Sequence, residues 1–162
     1  DILYYLIKFG QTKLEDMTVS EFIQNALAED DLVFQDPLFL AIFRQYETIE
    51  GDDASRKKFF FNHEDPAISQ HVLDLISDPH HINLKVLRES LSLEEPLLKE
   101  NVTKALLVYK LKVVSLSCAD LARDLRQAQQ LGEEDKIQTI LKELTVMMDV
   151  RNSFARELNR LK

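Results

Sequence analysis

The chain has 162 residues, of which 45% are hydrophobic and 30% charged, a composition typical of one or two folded, soluble domains. Its net charge of −8 is uneven: residues 1–100 carry 9 basic and 20 acidic side chains, a net charge of −11, and residues 101–162 carry 11 and 8, a net charge of +3. An acidic first part argues against binding a phosphate backbone. The composition also excludes a membrane helix of roughly 20 apolar residues, and the lone Cys118 excludes an internal disulfide and favours the cytoplasm.

The first part of the chain is punctuated as a series of short helices. An initial apolar run ends at Gly10, a residue type that helix C-termini favour. Thr18 and Glu21 have the spacing of a capping box, in which each side chain bonds the backbone N–H of the other. This spacing predicts that a helix opens there and covers residues 19–29.

Two Asp-Pro pairs, at 36–37 and 65–66, are further start signals. Aspartate caps a helix N-terminus, and proline suits the first helical position because its missing N–H would have no helical partner. The pairs predict helices over 38–49 and 67–77. Two other short helices are predicted over 55–61, where SRKKFFF would also fit a short strand, and over 82–91.

The pattern changes after Pro96, because no glycine or proline follows until Gly132. Apolar side chains recur every three or four positions on both sides of Gly132, which is a heptad seam. Two such helices joined by a tight break fold back as an antiparallel hairpin. The seams consist of Leu107, Leu111, Val114, Cys118, Leu121, Leu125 and Ala128, and of Ile137, Ile140, Leu144, Met147, Arg151, Phe154, Leu158 and Leu161.

The sequence therefore predicts an all-α fold in two parts. Residues 1–95 form a compact bundle of short helices, and residues 96–162 form the long hairpin. The first hairpin helix should be roughly 50 Å long, longer than a bundle of roughly 25–30 Å, so we expect the hairpin to project. Because the chain begins at Asp1, inside an apolar run, we expect it to be a piece of a longer polypeptide.

The residues that could carry chemistry favour structural roles. A metal site around His63 and His71 stays an alternative, but capping or solvated histidines explain the pair more simply. Cys118 lies on the apolar seam, as a buried structural thiol does. The basic run 56–58 beside the phenylalanines 59–61 imitates a nucleic-acid patch, yet it lies in an acidic bundle. We predict no catalytic, cofactor-binding or metal-binding residues and no direct nucleic-acid contact.

Three strings carry a family resemblance that spans nearly the whole chain. They are DPLFLAIFRQYE (36–47), FFFNHEDPAISQHVLDLISD (59–78) and VTKALLVYKLKVV (102–114). With the hairpin that follows, the chain resembles the C-terminal region of bacterial DNA primases, in particular those of the Bacteroidetes type. HEDP and DLISD are its most distinctive motifs.

The resemblance implies a docking function. In that family this region binds the N-terminal domain of the hexameric replicative helicase. The bundle stimulates the helicase, and the hairpin provides the main grip. The zinc-binding and polymerase domains lie upstream, so this fragment would itself be no enzyme, although its parent would be a DNA primase, a nucleotidyltransferase. A coiled-coil adaptor, or a module that pairs two chains through the hairpin, is the alternative.

We predict the partner contacts on the hairpin, because interface hot spots favour large apolar groups and arginine. Leu141, Met148 and Val150 lie outside the seam, and this surplus indicates a second contact surface. The alternative that all these side chains serve packing within the chain stays open. The predicted contacts are Arg126, Gln130 and Leu131 near the tip, and Ile140, Met147, Arg151, Phe154, Leu158 and Leu161 along the second helix.

Overall fold

A computed structural model describes residues 2–77 and 95–161 of the chain. It confirms the all-α class, with one small β-hairpin added. The chain divides into two compact units, Asp1–Thr103 and Lys104–Lys162. The described elements are α1 (Ile2–Phe9), β1 (Lys13–Leu14), β2 (Met17–Thr18), α2 (Val19–Ala28), α3 (Pro37–Thr48), α4 (Asp53–Phe61), α5 (Pro66–Ser77), α6 (Glu95–Leu131) and α7 (Glu134–Arg160).

Three helices of the first unit begin at the positions that were predicted from their capping residues. The Glu21 N–H donates to Thr18 Oγ1 over 3.2 Å and the Thr18 N–H donates to Glu21 Oε2 over 2.7 Å, which completes the capping box of α2. Asp36 Oδ1 accepts the Leu38 N–H over 2.8 Å at the start of α3. Asp65 Oδ1 accepts the Ala67 N–H over 2.9 Å at the start of α5.

The ambiguous stretch SRKKFFF is helical, as predicted, and forms most of α4. Its N-cap is Asp52, whose Oδ1 accepts the Ser55 N–H over 2.9 Å. The Ser55 hydroxyl donates to the same oxygen over 2.6 Å. The hydroxyl bond, and after it the N–H bond, lower the pKa of the Asp52 carboxyl. The helix predicted over 82–91 lies outside the described residues.

A two-stranded antiparallel hairpin lies between α1 and α2 and was not predicted. Lys13 pairs with Thr18 and Leu14 pairs with Met17. The turn places Glu15 at a φ of 54°, and Leu14 is buried. Each strand has only two residues, too few for the apolar-polar alternation by which a strand is recognised in a sequence.

The core of the first unit is built around α1, which lies against α2, α3, α4 and α5. The first turns of α6 belong to this unit too, because Leu98 and Val102 are buried. Lys99 Nζ also lies 2.8 Å from Glu15 Oε1 at the turn of the β-hairpin. The fully buried side chains of the five short helices include Leu6, Ile7, Val19, Ile23, Ile42, Tyr46, Phe60 and Val72.

Gly10 closes α1 because no side chain fits at this position. A Cβ atom there would lie 2.0 Å from Tyr46 Oη and 2.3 Å from the Leu6 carbonyl oxygen. Tyr46 is buried, and the Arg56 guanidinium lies 4.5 Å above its ring. The glycine is thus required by the close approach of α3, and not by a left-handed helix C-terminus as its place in the sequence suggested.

The start of α4 is bound to the end of α1 through Asp53. Its carboxylate accepts the Gln11 N–H over 2.9 Å and the Thr12 hydroxyl over 3.4 Å. Partial burial raises the pKa of Asp53 above its ordinary value, although these hydrogen bonds and nearby Lys57 and Arg56 oppose the effect. Asp53 therefore links two helices at the cost of placing a carboxylate in a partly buried position.

Candidate functional site

The second unit is an antiparallel hairpin of α6 and α7. Lys110 Nζ of α6 lies 5.8 Å from the centre of the Phe154 ring of α7. Closer to the turn, Leu121 of α6 and Glu143 of α7 line one groove. From Lys110 to Leu121 the residue number on α6 rises, while that of the neighbouring residue on α7 falls from 154 to 143. The two helices are therefore antiparallel. The turn lies at Gly132, whose φ is 70°.

The two predicted seams are stripes of low exposure on the two helices, although Leu106, Lys110 and Val113 of α6, outside the seam, are buried as well. On α6, Leu107, Val114, Cys118 and Ala128 are buried, and the remaining seam residues are partly buried. On α7, the seam residues except Met147 are buried or partly buried. The heptad pattern thus identified correctly which faces turn away from solvent. Cys118 is a buried free thiol, as expected.

This orientation changes the set of partner contacts predicted on α7. Ile140 is only 7% exposed, so its assignment as a partner contact is corrected to hairpin packing. Arg151, Phe154, Leu158 and Leu161 are partly buried on the same stripe. The predicted stripe therefore serves mainly the hairpin itself, because a heptad seam faces the neighbouring helix first.

The contacts predicted near the tip are placed differently. Arg126 and Gln130 are exposed, and Leu131 is 63% exposed. Met147, farther along α7, is 36% exposed. These four side chains remain available to a partner in the described structure, in contrast to Ile140.

Three apolar side chains outside the seam are exposed, but not on one surface. Leu141 and Met148 lie on one flank of α7, and Val150 lies about half a turn of rotation away from them. Val146, which the sequence reasoning did not select, is 61% exposed and is the most exposed of these apolar residues on α7. The signal that could have found it is its place outside the seam, since 100° of helical rotation separates it from its seam neighbour Met147.

Val146 belongs to an open groove between the two helices, with a volume of about 540 Å³. Its apolar surface comes from Leu121, Val146 and Met147, and these sit among charged side chains. Asp120 is paired with Arg123 over 2.9 Å. The groove is lined by Ser117, Asp120, Leu121 and Asp124 of α6 and by Lys142, Glu143, Val146 and Met147 of α7.

Of the two histidines, His63 has a structural role, whereas His71 Nε2 is buried without a hydrogen-bond partner among the described residues. His63 Nδ1 accepts the Asp65 N–H over 2.9 Å, so Nε2 carries the hydrogen and donates to Gln45 Oε1 over 2.7 Å. The His71 ring lies 4.9 Å from that of Phe39. Both nitrogens of His63 are thus engaged at the start of α5. Within residues 2–77 and 95–161, no three His, Cys, Asp or Glu side chains are grouped to hold a metal ion.

The basic and aromatic run of α4 does not present a continuous surface. Arg56 Nη1 donates to the Tyr46 carbonyl over 2.6 Å and its Nε donates to the Gly51 carbonyl over 3.0 Å. Phe60 is fully buried. Lys58 and Phe59 remain exposed beside an open pocket. The run therefore contributes mainly to the core and to the α3–α4 connection.

The family model of a domain of unknown function, DUF8430, matches residues 1–161. The chain belongs to the DUF8430 family. No curated protein and no solved structure matches this DUF8430 chain. In the described part of the chain, no helix combines the length and apolarity needed to cross a membrane.

Proposed function

We propose that this DUF8430 chain is a non-catalytic docking module of a bacterial DNA primase. Its partner is the N-terminal domain of the hexameric replicative helicase, and docking couples primer synthesis to unwinding. The observation that carries docking is the set of apolar side chains that α7 exposes outside its seam: Val146 and Val150 lie on one flank of the helix, and Leu141 and Met148 lie on the other. Apolar groups concentrated on one element, next to charged neighbours, are typical of protein interaction sites.

The choice of helicase rests on the resemblance to primase C-terminal regions. It is carried by the strings at 36–47, 59–78 and 102–114. Two of these strings open helices α3 and α5 with an Asp-Pro pair, and the third lies on α6. The resemblance therefore involves both units, which supports a role for the bundle as well as for the hairpin.

A second candidate function uses the same hairpin surface. Exposed Leu141 and Met148, which lie two turns apart on one flank of α7, would also suit an adaptor that pairs two copies of the chain. Pairing of this kind buries a self-complementary patch at a two-fold axis. The two functions differ in whether the chain prefers the helicase or itself.

The test is a binding titration between the intact chain and the N-terminal domain of the replicative helicase. We expect a complex in size-exclusion chromatography with light scattering. The double variant Arg126→Glu, Gln130→Ala should weaken the affinity about tenfold at unchanged helix content, because both side chains are exposed near the tip. Lys112→Glu, an exposed site on the same helix, is the matched control.

Three outcomes would contradict the proposal in different ways. Absence of a complex at micromolar concentrations would remove the helicase from the function. A dimer that forms without helicase, and that the tip variant leaves intact, would favour the adaptor. Equal weakening by the tip variant and by Lys112→Glu would mean that binding depends on net charge and not on the tip.

A further inference from the structure

We propose that the groove between α6 and α7 binds one amphipathic helix of the partner, with Lys or Arg along the edges of its apolar stripe. The inference rests on the proposed docking function and names the element that docks. It concerns the groove around Val146, which the tip contacts Arg126 and Gln130 do not line.

The shape of the groove suits a third helix. Two antiparallel helices leave a furrow along each flank, and a further helix packs there by placing its side-chain ridges in the furrow. Val146 and Val150 lie one helical turn apart on α7, and both are exposed. Glu143 precedes Val146 and Met147, and it lines the same groove. The flank thus offers an apolar strip along the helix axis, as helix-in-groove recognition requires.

The charges around the groove select a basic helix. Of its four charged lining residues, Asp120, Asp124 and Glu143 are acidic and only Lys142 is basic. Asp120 is paired with Arg123, whereas Asp124 and Glu143 have no ion pair among the described residues. The unit as a whole carries 11 basic and 8 acidic side chains, a net charge of +3. The groove is therefore an acidic site on a basic unit, and partner cations would complement it.

The same charges argue against a second copy of the chain in this groove. In a two-fold symmetric contact each surface meets itself. The patch that holds Asp124 and Glu143 would then meet the same acidic patch of the other chain, and Lys142 is the only cation in the groove lining that could compensate. Like charges brought together in an interface cost binding free energy. A different protein with basic side chains is the better occupant.

The experiment is selection from a phage-displayed library of randomised helical peptides on the intact chain. We expect enriched peptides to carry apolar residues at i, i+3, i+4 and i+7 with Lys or Arg beside them. The best peptide is then synthesised, and its affinity is measured for wild-type and variant chains at low and high salt. The same variants are titrated with the helicase N-terminal domain.

Each groove variant has a matched control on the hairpin. Val146→Ser should weaken the peptide about fivefold to tenfold, because it removes buried apolar surface. Val108→Ser replaces another exposed valine, on α6, and should have no effect. Glu143→Lys should weaken the peptide by at least about tenfold at low salt and less at high salt. Glu157→Lys changes the net charge equally at an exposed site on α7, ten positions beyond the last groove residue Met147, and should bind like the wild type.

The outcomes separate this inference from the proposed function. Enriched peptides that are acidic, or that bind both groove variants like the wild type, overturn the groove assignment. If the helicase domain binds the chain but Val146→Ser and Glu143→Lys leave its affinity unchanged, the groove inference fails and the proposed function stands. If the peptides behave as expected and the helicase domain does not bind, the helicase assignment fails and the groove stands. Loss of a chain dimer in Val146→Ser would assign the groove to a second copy and overturn the proposal.

Discussion

Substituting Gly10 by alanine should lower the free energy of unfolding of the first unit by about 3 kcal/mol. The added Cβ would lie 2.0 Å from Tyr46 Oη, 2.6 Å from Tyr46 Cζ and 2.3 Å from the Leu6 carbonyl oxygen. All three distances are far inside van der Waals contact. The alanine can therefore be accommodated only if Tyr46 of α3 moves away from α1 and the last turn of α1 also shifts.

Neither Tyr46 nor the Leu6 carbonyl group can move without disturbing its own contacts. The loss of stability should therefore be at the upper end of the usual range for overpacking, which is about 1–3 kcal/mol. Tyr46 is only 1% exposed. Its ring is stacked with that of Phe60, with centres 6.5 Å apart and planes 3° from parallel. Arg56 covers the ring at 4.5 Å. The Leu6 oxygen belongs to the backbone of α1 and accepts the Gly10 N–H over 3.0 Å.

The measurement is urea unfolding followed by tyrosine fluorescence. Three of the four tyrosines, Tyr4, Tyr5 and Tyr46, lie in the first unit, so the emission reports mainly on that unit. Gly132→Ala is the control. Its Cβ meets nothing within 4 Å, and its φ of 70° adds only about 1–2 kcal/mol of backbone strain, in the other unit.

A double-mutant cycle tests the physical cause. Tyr46→Phe removes the oxygen at 2.0 Å but leaves the ring carbon and the Leu6 oxygen in place. Gly10→Ala should therefore cost about 1 kcal/mol less in the Tyr46→Phe background. A cost below about 0.5 kcal/mol for Gly10→Ala in the wild-type background would refute the close-approach explanation. An unchanged cost in the Tyr46→Phe background would show that the hydroxyl is not the obstacle.

Three further predictions concern other sites. Thr18→Ala should cost about 1 kcal/mol in urea unfolding, because Thr18 Oγ1 no longer accepts the Glu21 N–H, although the backbone N–H of position 18 can still donate to Glu21. Burial raises the pKa of Asp53 in the folded state, so ionisation of this carboxyl destabilises the fold. The wild type should therefore lose stability relative to Asp53→Asn as the pH rises from about 3 to about 7. A constant difference in unfolding free energy over that range would contradict this. Ile140→Ala should destabilise the hairpin by about 2–4 kcal/mol and accelerate amide hydrogen exchange in α7, whereas unchanged exchange would mean that Ile140 does not hold the hairpin.

Local chemistry explains which helix starts could be predicted. A cap acts between residues two or three positions apart, so Thr18, Asp36 and Asp65 carry their information in the sequence itself. The heptad spacing is equally local, and it identified the inward stripes of α6 and α7. The β-hairpin could not be predicted, because strands of two residues leave no periodic pattern.

The candidate site needed the tertiary structure. The sequence showed surplus apolar residues such as Leu141 and Met148, but it assigned Ile140 to the partner and overlooked Val146. The rotation of an amphipathic helix about its own axis decides which of its side chains remain exposed. Heptad spacing predicts that rotation only to within about one residue. The acidic character of the groove arises because residues of α6 and α7 more than 15 positions apart come together.

The sequence alone thus determined the helical class, the positions of most helix starts and the inward faces of the hairpin, since these depend on interactions within a few residues. Only the tertiary structure decided why position 10 must be glycine, where Asp53 is placed and which hairpin side chains form a groove. Those properties depend on distances between elements far apart in the chain. Tyr46 and Gly10, separated by 36 positions but in direct contact, show the difference most clearly.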